Sequence, residues 1–106
     1  MKVYFQLGSP LDRLETDPDF SADLPPETVY MYRRRMQQLR AILNERDVAT
    51  ARALDVQPQV KRGIDFFSIF LCAGWRLVIR FLGAKPHQEV VVLEIIQVKQ
   101  PVRRIK

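Results

Sequence analysis

The chain has 106 residues, 47% of them hydrophobic, enough for one modest core and a single domain over residues 1–106. The lone Cys72 excludes an intrachain disulfide, no charged-then-apolar leader opens the chain, and its most apolar run, 75–82, is interrupted by Arg76 and Arg80 and is far too short to span a membrane; a cytoplasmic protein with no membrane partner is the simplest reading. The formal charge is +5, but residues 1–27 hold six acids against Lys2 and Arg13, net −4, which leaves +9 on residues 28–106. A field of that sign raises the encounter rate with polyanions, nucleic acid above all, although a scattered basic surface can also serve solubility alone.

In chain order, residues 2–7 alternate Val3, Phe5 and Leu7 with Lys2, Tyr4 and Gln6, a short strand that Gly8, Ser9 and Pro10 end. Residues 10–24 are acidic, show no sustained period and read mainly as loop, with Leu11 and Leu14 able to begin a helical turn. They are either a solvated connector or an internal counterion for the basic surface. Pro25, Pro26 and Glu27 suit a helix start. Val29, Tyr32, Met36, Leu39 and Leu43 then recur at steps of three and four, predicting a helix over 26–44 with one apolar stripe toward a sheet. Arg33, Arg34 and Arg35 fit a solvated helix face better than a recognition element. Asp47 can cap a shorter helix over 48–54, and Pro58 ends that region.

Residues 65–72 and 75–82 are rich in aromatic and β-branched side chains and read as a hairpin turning at Gly74. A two-residue loop, Ala73 and Gly74, would pair Cys72 with Trp75. A three-residue loop from Cys72 fits better, because Ala73 resists the positive φ that primed turns want at the first loop position. It places Phe67, Ile69 and Leu71 with Trp75, Leu77, Ile79 and Phe81 on the core face. Phe66, Ser68, Phe70 and Cys72 then lie beside Arg76, Val78 and Arg80 on the other. Residues 83–88 are loop, and 89–98 form a near-continuous apolar run suited to a central strand. The expected architecture is α+β, order β-α-α-β-β-β, with two helices on one face of a small, mainly antiparallel sheet.

One histidine and one cysteine cannot make a Cys/His zinc site, and no glycine-rich phosphate loop is present, so no cofactor is implied. His87 reads as a solvated loop residue and Cys72 as a small space-filler. The notable groups are cations on or near strands: Lys61, Arg62, Arg76, Arg80 and Lys99, followed by a basic tail with Arg103 and Arg104.

The stretch S-I-F-L-C-A-G-W-R-L-V-I-R-F, followed by V-V-V-L-E-I-I, resembles the S-I-R-I-N-x-x-W-R-I-x-F core and V-E-I-V-D-Y-H ending of the HigB killer toxins, a branch of the RelE superfamily. Residues 32–39 are similar to the R-R-L-Q-Q-L stretch of that family's first helix, so the resemblance runs from about residue 30 to 99. It implies the toxin of a toxin-antitoxin pair, which cuts messenger RNA on the ribosome and is silenced by a cognate antitoxin; a homodimer is compatible with it. The implied chemistry is metal-free attack of a ribose 2′-OH on the adjacent phosphate, with basic groups stabilising the phosphorane. Arg76 matches the strand arginine expected at the phosphate. Lys99 stands where the family has histidine, as a cation or an acid, and Lys61 falls near a pre-hairpin lysine. Arg62, Arg80, Arg103 and Arg104 would hold RNA. Phe70 replaces an arginine and could stack on a base or pack as an ordinary aromatic, and Cys72 replaces an asparagine. The alternative is a catalytically degenerate module of the same fold that binds nucleic acid or protein.

Overall fold

The computed structural model describes residues 2–42, 54–83 and 89–98. Strand β1 (Val3–Phe5) is followed by helices α1 (Leu11–Thr16) and α2 (Pro26–Ala41), and then by strands β2 (Gln57–Pro58), β3 (Phe66–Cys72), β4 (Trp75–Leu82) and β5 (Glu89–Gln97). The sheet order is β1-β5-β4-β3-β2. Among the described strands, only the β1 and β5 pairing is parallel; the others are antiparallel.

Helix α2 follows its apolar period. Val29, Tyr32, Met36 and Leu39 are buried and form one core with Ile69, Leu71, Leu77, Ile79, Phe81, Val90 and Val92 of the sheet. The helix stops at Ala41, three residues before its expected end, where Ile42 becomes extended at ψ 138° and donates its N–H to the Leu39 carbonyl. The predicted helix over 48–54 lies outside the described residues except for Leu54, which joins the core.

Residues 11–16 are helix where the sequence reads mainly as loop. Leu11 and Leu14 are both buried, and the Tyr32 hydroxyl donates to the Leu11 carbonyl at 2.8 Å. Arg33 donates to the carbonyls of Leu14, in the last turn of the helix, and of Asp17 and Phe20 just beyond it, at 2.8–3.1 Å, answering a helix-end group and the turn that follows. Arg35 is 7% exposed and donates its Nε hydrogen to the Phe70 carbonyl. The arginine run is therefore not a solvated face: of the three, only Arg34 is exposed. Part of the acidic segment does act as counterion, since Glu15 receives both Nε and Nη2 of Arg40 at 2.7 Å.

The hairpin departs from expectation at its tip. Cys72 pairs with Trp75 across Ala73 and Gly74, the two-residue arrangement, with Gly74 at φ 84°. An irregularity at Leu71 then shifts the register, so Phe70 faces Arg76 and Ile69 faces Leu77, the partners that the three-residue loop implied. Because the bulge reverses the alternation locally, Leu71 and Cys72 both turn toward the helices. Leu71 enters the core, and Cys72 Sγ lies 3.4 Å from Thr28 Oγ1 on α2. Cys72 is thus removed from the face that carries Arg76. A second irregularity, between Val78 and Ile79 on β4, leaves Leu93 of β5 without an opposite residue.

Candidate active site

The sheet face away from the helices carries Phe66, Ser68 and Phe70 of β3, Arg76, Val78 and Arg80 of β4, and their β5 partners Ile96, Glu94 and Val91. Its centre is closed rather than open: Ser68 and Val78 are fully buried and Arg76 is 8% exposed. A guanidinium removed from water needs a counter-charge and a full set of acceptors. Arg76 has both. Its Nε donates to Ser68 Oγ at 2.8 Å and its Nη2 to the Ser68 carbonyl at 3.1 Å. Its Nη1 meets Asp55 Oδ2 at 3.0 Å, and Nη2 also donates to the Asp55 carbonyl. Gln59 Nε2 donates to the same Ser68 hydroxyl at 3.0 Å, so the segment before the hairpin is fastened to the strand that presents the arginine.

Asp55 itself is half exposed, with 54% of its side chain in solvent. Its backbone takes φ 44°, a left-handed conformation that aspartate tolerates better than most side chains and that nonetheless costs energy. The turn aims a carboxylate at a buried cation from one side and leaves it open to solvent on the other. Chemically, the arrangement can receive a proton at the carboxylate while holding a fixed positive charge about one hydrogen bond away.

Around this pair the remaining predicted residues are spread out. Arg62 bridges to Glu94 at 2.8 Å, and Lys61 is exposed on the same turn. Arg80 is exposed, its guanidinium carbon 5.0 Å from the centre of the Phe66 ring. Phe70 is half-buried opposite Arg76. Lys99, Arg103, Arg104 and His87 lie outside the described residues. Sequence reasoning missed Asp55, Ser68 and Gln59. A signal for the first exists: Asp55 is the sole acid between Asp47 and Asp65, in an otherwise neutral and basic stretch.

A solved YoeB/ParE toxin from Agrobacterium tumefaciens superposes on the chain with a TM-score of 0.55, covering 93% of this chain and 100% of that one at 19% identity. The chain has the YoeB/ParE toxin fold. No protein-family model matches the sequence, nor does any curated protein. The Arg76 and Asp55 pair lies on the sheet face away from α1 and α2. Among the described residues, no helix is long and apolar enough to cross a membrane.

Proposed function

We propose that the chain is the toxin of a toxin-antitoxin pair, a HigB-like, ribosome-dependent mRNA endonuclease that stops translation and is silenced by a cognate antitoxin protein. The observation that supports this reading is the half-exposed Asp55 carboxylate held 3.0 Å from the buried Arg76 guanidinium on the sheet face away from α1 and α2. In this scheme Asp55 takes the proton from a ribose 2′-OH, whose oxygen bonds to the adjacent phosphorus as the bond to the 5′-oxygen breaks. The product is a 2′,3′-cyclic phosphate. Arg76 fixes the carboxylate and stabilises the charge that gathers on the phosphorane. Lys99 supplies the proton for the departing 5′-oxygen, with Lys61 as a further cation near the phosphate. Arg62, Arg80, Arg103 and Arg104 hold the strand.

The test is cleavage of a defined mRNA on purified ribosomes, mapped by primer extension, beside growth arrest on expression. The parent should cut and arrest, and Asp55→Asn should do neither at equal soluble level. A parent that binds RNA in a salt-dependent way but neither cuts nor arrests would replace this reading with that of a binding module.

A further inference from the structure

We infer that Gly63, Phe66 and Arg80 form a stacking ledge for an unpaired nucleobase of the RNA, a subsite apart from the Arg76 and Asp55 centre; the inference rests on the RNA reading above. The ledge is built in three layers. Gly63 has φ 144°, and a Cβ on it would lie 3.0 Å and 3.1 Å from Cδ1 and Cε1 of the Phe66 ring, so the ring is seated directly on glycine backbone. A backbone bond from Phe66 N–H to the Gly63 carbonyl, 3.3 Å, closes that turn. The Arg80 guanidinium lies over the ring, 5.0 Å from its centre, and Arg80 faces Phe66 directly across the strand pair.

Charge separates Arg80 from its neighbours. Arg76 meets Asp55, and Arg62 meets Glu94, whereas among the described residues no carboxylate bridges to Arg80. Backed by the Phe66 ring, the exposed guanidinium offers a flat cation on which a base can stack, as arginine does in single-strand recognition. Arg80 lies four residues along β4 from Arg76, about 13 Å, so the stacked base belongs to a nucleotide beyond the one being cut. The pair of arginines therefore divides the work, one serving the phosphate and the other a neighbouring base.

The test uses the whole chain with two RNA probes of about eight nucleotides, one of adenines and one of abasic ribose-phosphate with the same charge, at ~50 mM salt. The parent should bind the adenine strand roughly 5- to 150-fold more tightly than the abasic one. Arg80→Lys keeps the charge and loses the plane. It should bind the abasic strand like the parent and lose most of the preference for bases, with an unchanged melting temperature. An Arg80→Lys protein that keeps the parent's preference would overturn the ledge and make Arg80 a plain charge. A parent that binds both strands equally and still cuts mRNA would overturn the ledge alone. A parent that binds neither strand and cuts nothing would overturn the RNA reading with it.

Discussion

Arg35, in the third turn of α2, donates its Nε hydrogen to the Phe70 carbonyl of β3 at 2.8 Å, one residue before the bulge that turns Cys72 toward the helix. Its Nη1 also donates to Gln38 at 2.8 Å. A partly buried carbonyl answered by a charged donor is costly to orphan. Arg35→Leu should therefore lower stability by about 1.5–3 kcal/mol, read from urea unfolding.

Tyr32 gives a stability change with a definite sign. Burial, with Glu15 and Asp12 nearby, raises its pKa well above 10 in the folded protein, despite the opposing pull of Arg40. Above pH 10 the unfolded chain loses this proton and the folded chain keeps it, so stability present below pH 10 is lost as pH rises, by about 1.4 kcal/mol per unit. Tyr32→Phe should abolish this part of the alkaline slope. At neutral pH it should cost only about 1 kcal/mol, for the lost bond to Leu11.

Gly74 has open space beside it, the nearest atom to an added Cβ being the Val98 carbonyl oxygen at 3.8 Å, but its φ is 84°. The cost of Gly74→Ala is therefore conformational and not steric, about 1–2 kcal/mol. Gly74→Asn should cost less, since asparagine visits this region more readily, and thermal melts of the two variants would check the order.

If the site works as proposed, Asp55→Asn and Arg76→Ala should each slow ribosomal mRNA cleavage by about 100- to 1,000-fold. Cys72→Ala and His87→Ala should leave it near the parent's rate. Asp55→Asn is the cleaner arm, because Asp55 is half exposed whereas Arg76→Ala also empties a buried position. Melting curves at matched concentration separate the two effects.

The parts of the molecule that were legible in the sequence are those fixed by local periodicity: the stripe of α2, the hairpin strands and the apolar β5. Helix α1 was obscure because only Leu11 and Leu14 carry its pattern, and donors from α2 hold its carbonyls. Arg33 and Arg35 look solvated in sequence because nothing there shows which backbone groups need a donor. Cys72 changed faces through a single extra residue at Leu71, a shift too small for alternation to reveal. Asp55 is 21 residues from Arg76, and no local pattern joins them. The carboxylate of the candidate site was therefore hidden, while its arginine was plain.

The first strand of the chain pairs only with the last strand of the described sheet, Val3 beside Val90 and Phe5 beside Val92. During synthesis β1 must wait without a partner until β5 has been made, since no earlier strand offers it a ladder. Closing so long a loop is slow. A nascent chain cut short before β5 therefore cannot complete this sheet, and if the chain is a toxin, the ribosome that makes it meets the finished fold only after β5 has emerged.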